Sequence, residues 1–179
     1  MVLFARLLIL ALTAAATPIL RRDASTVEND ITQKIGPQIT KLNNDVNGFP
    51  ASGLTGAQTI HNDFQTLATI VAATTDDIKS TGSFSITAGT TILADVQLLV
   101  PTLSATLVAI GSQEPSWAAI PGGSELVFSD LQSLKAAFNN FSNALAAASP
   151  FLLKAGSIAI QTQMLGAFDT AIATYSVSV

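Results

Sequence analysis

The chain has 179 residues, 49% of them apolar and only 11% charged, with a formal net charge of −4. That balance excludes disorder, which needs low hydrophobicity and high charge. With 8 Lys plus Arg against 12 Asp plus Glu, it also leaves no basic footprint for nucleic acid. Cysteine is absent and His61 is the one histidine, so a disulfide framework, a thiol nucleophile, a metal cluster or a Ser-His-Asp triad has almost nothing to be built from, and no cofactor is expected.

In chain order, the first segment reads as an address. Met1–Ala16 has an early Arg6, an apolar stretch from Leu7 and a small-residue end, the pattern of a secretory signal peptide (residues 1–16) and too short for a membrane span. Residues 17–22 form a short pro-segment that ends in the dibasic pair Arg21-Arg22, as in fungal pro-peptides. The mature chain is therefore expected to start at Asp23, or at Thr17 if the pair is skipped. Loss of Arg6, Arg21 and Arg22 takes the net charge from −4 to −7. The domain proper, 23–179, is expected outside the cell, held by its core rather than by disulfides.

From Ser25 onward the spacing predicts helix almost everywhere. Ser25 with Glu28 reads as a capping box. Val27, Ile31, Ile35, Ile39, Leu42, Val46 and Phe49 follow at steps of three or four, and Asn47-Gly48-Phe49-Pro50 stops the helix. The second stripe is Ile60, Phe64, Leu67, Val71, Thr74 and Ile78, closed by Ser80-Thr81-Gly82. The third starts at a Ser85 cap and runs through Gly89, Ile92, Val96, Val100, Leu103, Leu107 and Ile110 to Gly111. A turn region from Glu114 to Gly123 leads to the fourth: Val127, Leu131, Leu134, Phe138, Phe141, Leu145 and Ala148. The fifth follows Ser149-Pro150 and carries Ile158, Met164, Leu165, Phe168, Ile172 and Tyr175.

Helices of about 25 residues are roughly 38 Å long, and short connections favour antiparallel neighbours, so the expected fold is all-α, one up-and-down bundle of about five long helices. Pro37 and Pro101 fall opposite the stripes, where they bend a helix rather than break it. Ile92–Ile110 is apolar over 19 residues, but Asp95, Gln97, Pro101 and the 3.6-residue period identify an amphipathic core helix rather than a transmembrane span. A monomer is expected.

The outer positions are Ser, Thr, Ala, Gln and Asn instead of Glu and Lys. Such a face is wettable yet cheap to dehydrate, because neutral groups cost less to desolvate than ions. Two polar residues sit in the stripes, Thr74 in the second and Gln161 in the fifth, either to bind a polar head group in an apolar lumen or, more ordinarily, to bond the helix backbone and line a seam. Asp76-Asp77 reads as a solvated face and His61 as surface or boundary. No GxSxG, HExxH or P-loop occurs, and Gly122-Gly123 before Ser124-Glu125 reads as a loop-to-helix cap. Asn140-Phe141-Ser142 is a glycosylation sequon with Asn140 pointing away from the fourth stripe.

A signal peptide, a dibasic site and five cysteine-free helices that contain Ser129-Asp130-Leu131-Gln132-Ser133-Leu134-Lys135 and Phe168-Asp169-Thr170-Ala171-Ile172-Ala173-Thr174-Tyr175-Ser176 together resemble the fungal hydrophobic surface-binding protein A family, whose domain also occurs in mould cell-wall galactomannoproteins. The resemblance implies a secreted, non-enzymatic bundle that adsorbs to hydrophobic solids and helps recruit a polyester hydrolase of cutinase type, some members holding a fatty acid between the helices. If the stripes enclose an apolar central cavity, its wall is Phe64, Leu67, Val71 and Thr74 of the second, Val96, Val100 and Leu103 of the third, Leu134, Phe138 and Phe141 of the fourth, and Gln161, Leu165 and Phe168 of the fifth. The alternative is a structural or antigenic wall mannoprotein. The chain shows no Ser/Thr-rich stalk and ends at Tyr175-Ser176-Val177-Ser178-Val179 without a hydrophobic tail, which favours free secretion over wall anchorage.

Overall fold

Apolar residues at 27, 31, 35 and 39 step by four each time, and in a helix of 3.6 residues per turn each such step drifts by about 40°. In the computed structural model, which describes residues 23–176, the first rod absorbs that drift. Helices α1 (Ala24–Asp30) and α2 (Gly36–Gly48) are joined by a π-helical turn, Ile31–Ile35, whose wider winding keeps all four residues on one face. The Gly36 N–H bonds to the Ile31 carbonyl five residues back. Pro37, which has no N–H and crowds the carbonyl four residues before it, follows at the start of α2. The N-terminal cap is Asp23 rather than the expected Ser25: the Asp23 carboxylate accepts from the Thr26 N–H at 3.1 Å and from the Ser25 hydroxyl at 2.7 Å. A charged acceptor outcompetes a hydroxyl at the positive end of a helix. The signal peptide and the pro-segment, 1–22, lie outside the described residues.

The remaining elements are α3 (Gly53–Thr81), α4 (Ile86–Ser112), the short α5 (Glu114–Ala118), α6 (Gly123–Ala148), a 3₁₀ turn (Phe151–Leu153) and α7 (Lys154–Tyr175). The Ser85 cap holds as expected, its hydroxyl accepting from Ala88 N–H at 3.1 Å. Gly82 closes α3 with φ 79°, a left-handed position that suits glycine. Strands are absent among the described residues. The region read as a turn holds α5, which seats Trp117 against Phe49, ring centroids 4.5 Å apart.

The long rods form a closed ring in the order α2, α3, α6, α7, α4 and back to α2. Successive rods run in opposite directions, as expected, but they are not always neighbours. Gly36 approaches Leu99, and Asn43 bonds Thr106 at 3.1 Å, so α2 and α4 lie parallel. Likewise α3 pairs in parallel with α6, and α4 with α7, where Gln97 bonds Gln163 and Gly111 faces Thr174. The α3–α4 connection and α5 each cross an end of the bundle, which lets short links join rods that do not touch.

The first four stripes are buried as spaced. The fifth is not. Its buried face is Ser157, Ile160, Met164, Phe168, Ala171 and Tyr175, while Ile158 is exposed and Leu165 and Ile172 are half-buried. Apolar residues surround α7, so their spacing does not single out one face.

Candidate functional site

Inside the ring, Phe64, Leu67 and Val71 of α3, Val96, Val100 and Leu103 of α4, Leu134, Phe138 and Phe141 of α6 and Phe168 of α7 are buried in one continuous apolar cluster. A ring of five rods has a wider axis than four, and large aromatic rings fill it. Phe138 lies 5.6 Å from Phe168 and 6.3 Å from Phe141 between centroids, the latter edge to face.

The other residues expected on a lumen wall stand elsewhere or are already engaged. Thr74 is buried, and its hydroxyl donates to the Ile70 carbonyl at 3.0 Å. Gln161 lies at the α6–α7 seam, where its Nε2 donates to Asn139 Oδ1 at 3.2 Å and Asn143 Oδ1 at 2.9 Å. Leu165 lines an outer groove of about 420 Å³ on the same seam with Asn139, Ile172 and Lys135. Asn140 is exposed on α6.

The α4–α7 seam is built differently. The small residues Gly111, Ala167 and Ala171 meet there beside Leu107, leaving a mostly apolar groove of about 310 Å³ rimmed by Val108 and Thr174, within the size of small-molecule sites. The sequence reading did not find it. Its signal was the matched small residues at 111, 167 and 171 on two elements far apart in the chain. A wider groove of about 670 Å³ runs between α2 and α4, with Leu98, Leu99 and Lys41 on its walls.

Lys41 bridges Asp45 at 2.9 Å and both Asp63 oxygens at 2.6 and 2.7 Å, and burial pushes the Asp63 carboxyl above its ordinary value against the pull of Lys41 and Gln38. Asp130, buried, takes His61 Nδ1 and Gln65 Nε2, each at 2.8 Å, and burial raises its carboxyl too. His61 is at a boundary, as expected, but its partner is far from its sequence neighbour Asp63. Asp76 is solvated; Asp77 is buried, contrary to expectation, since it falls on the inner flank of α3 beside Thr74 and Ile78. The Tyr175 hydroxyl donates to Ile110 O at 2.7 Å, and burial raises its pKa. Among the described residues, the buried side-chain atoms Trp117 Nε1 and Gln113 Oε1 stand without a hydrogen-bond partner. Among the described residues no group of three or more metal-ligating side chains comes together. The interior excludes water and is filled by its own apolar side chains.

AFMP4P, solved in complex with palmitic acid, superimposes with a TM-score of 0.81 at 27% identity, over 86% of this chain and 99% of that one. Ligand binding domain 1 of the Penicillium marneffei MP1 protein, complexed with arachidonic acids, gives 0.78 at 17% identity over 85% and 98%, and its domain 2 gives 0.76 at 13% over 84% and 93%. These two share the fold. No match is found among the curated proteins. The sequence profile of hydrophobic surface binding protein A matches residues 24–147, which span α1 to α6, and so the chain belongs to the hydrophobic surface binding protein A family.

Proposed function

We propose that this chain is a secreted, non-enzymatic binder of fatty-acid-like lipids and hydrophobic surfaces, which brings a polyester hydrolase of cutinase type to them. The observation that carries the lipid reading is the likeness, along nearly the whole of its length, to a relative solved with palmitic acid. It is joined to an interior walled by Phe64, Val100, Phe138 and Phe168 with no charge among them. An acyl chain enters along the α6–α7 seam, beside the outer groove lined by Leu165 and Ile172, and displaces aromatic packing rather than ions. Its carboxyl group stays at the seam, near the amides of Asn139, Asn143 and Gln161, or reaches water at a bundle end.

Displacement of a fluorescent lipid probe tests this. Saturated fatty acids compete with micromolar or better affinity, and affinity rises with chain length because each buried CH₂ contributes about 0.8 kcal/mol. Competition that is independent of chain length, or absent at solubility, rejects the interior site. Co-sedimentation of a cutinase with the protein on polyester particles tests recruitment separately.

A further inference from the structure

Charge is not spread evenly around the ring. Helices α1 and α2 with the turn between them carry Glu28, Asp30, Lys34, Lys41 and Asp45; α3 carries Asp63, Asp76, Asp77 and Lys79; α6 carries Glu125, Asp130 and Lys135. Over its 27 residues α4 has only Asp95, half-buried, and α7 has only Lys154 at its start and Asp169, which is paired with Lys135 of α6. No exposed residue of α4 is ionisable: its outer face runs from Ile86 and Thr87 through Gln97 and Leu98 to Val108 and Ser112. Leu98 and Val108 are 74% and 67% exposed. So apolar is this helix that its length and hydropathy match a membrane span, although one face is packed on the core.

Five threonine hydroxyls on this wall are also spent. Thr90 and Thr91 of α4 and Thr162, Thr170 and Thr174 of α7 each donate to a carbonyl of their own helix four residues back, at 2.8 to 3.3 Å. Each thereby satisfies its donor within the protein, so contact with an apolar phase leaves those five hydroxyl protons bonded. At one end of the wall the 3₁₀ turn packs Leu153 inward against Gly89, where an added Cβ would stand 2.9 Å from Leu153 Cδ1, and turns Phe151 and Leu152 outward at 87% and 75% exposed. Ile86, 57% exposed, opens α4 at this same end.

We propose that the α4–α7 wall, with the Phe151-Leu152 corner at its end, is the face by which this protein lies on an uncharged aliphatic solid. This rests on the hydrophobic-surface reading above and names the surface that performs it. The charged α1–α2, α3 and α6 sides then stay in water, so the adsorbed bundle keeps its fold and its hydrated side outward.

Depletion from solution onto poly(butylene succinate) beads tests the face. Two charge-adding variants of α4 and the corner, Leu98→Glu with Val108→Glu and Phe151→Asp with Leu152→Asp, are compared with Thr66→Glu with Thr69→Glu on exposed positions of α3. All six sites are exposed, so thermal midpoints by circular dichroism should stay close to that of the wild type. The expected result is a loss of bead affinity of about tenfold or more for both wall variants, because an ion must be dehydrated to reach the solid, against less than about twofold for the α3 variant. Equal losses from all three, or none from the wall variants while the wild type still adsorbs, overturn the face and leave the adsorption reading standing. A wild type that stays in solution overturns both. A dimer in solution that the α4 variant splits overturns the proposal in favour of self-association through this wall.

Discussion

His61 Nδ1 stands 2.8 Å from a buried Asp130 oxygen, across the parallel interface of α3 and α6 and 69 residues away in sequence. With Gln65 on the other oxygen, the carboxylate is held between two side chains of α3. Burial raises the Asp130 carboxyl above its ordinary 3.8 in the folded protein. The folded protein therefore keeps that proton to higher pH than the unfolded chain. The stability so gained is full below 3.8 and is lost as pH rises through the raised value. Asp130→Asn removes this loss, so the ratio of variant to wild-type stability rises from about pH 3 to about pH 6 in urea titrations. A parallel pH dependence in both proteins would show that Asp130 ionises as freely folded as unfolded.

Phe138 touches both Phe141 and Phe168 at the bundle axis and is 1% exposed. Phe138→Ala costs about 3–5 kcal/mol in chemical denaturation. A cost below about 1 kcal/mol would show that the axis is already hollow.

On the lipid-binding proposal, Gln161 is expected to tell head group from tail. Gln161→Leu breaks the amide cluster with Asn139 and Asn143, and it should weaken fatty acids in the probe assay while leaving the matching alkanes unchanged. Equal weakening of both ligands removes the cluster from the head-group site.

Trp117 is buried with its indole N–H unbonded. Trp117→Phe keeps the stack on Phe49 and removes a donor whose burial costs about 1–3 kcal/mol, offsetting the smaller ring. Its unfolding midpoint therefore stays within a few degrees of the wild type, whereas Trp117→Ala costs about 3–5 kcal/mol.

Exported protein is expected to begin at Asp23, the residue that caps α1. N-terminal sequencing of culture-medium protein reads this directly, and an intact Met1 there sinks the secretion proposal.

The stripes of the first, second, third and fourth rods were legible because their apolar residues fall on one face and their outer positions are polar. The π turn was legible only in hindsight, from three successive steps of four that end beside Gly36-Pro37. On α7 the pattern failed because Ile158, Leu165 and Ile172 compete with the true face while Ser157 occupies a buried position on it. A buried serine looks polar in sequence, yet its hydroxyl is satisfied by Ser149 and Leu153, each at 3.1 Å. Pairings such as Lys41 with Asp63, or His61 with Asp130, join separate helices, and no local period encodes them. The burial of Phe64 and Phe138 was legible from helical spacing alone. The small-residue groove was not, because alanine and glycine carry no distinctive period.

The order of the rods around the ring also bears on how the chain folds. Only α2 with α3 and α6 with α7 are both consecutive and in contact, so two helical hairpins form from local contacts. α4 touches α2 and α7 and lies between them, yet it is tied in sequence to α3 and, through α5, to α6, neither of which it flanks. Its contacts with α2 and α7 are non-local, 63 residues apart at Asn43–Thr106 and 66 at Gln97–Gln163, so they wait on loop closure, and α4 is expected to join after the two hairpins. The helix that closes the ring is then the first to leave it. Native-state hydrogen exchange should find the amides of Ile92 to Ile110 opening at lower free energy than those of Leu131 to Leu145.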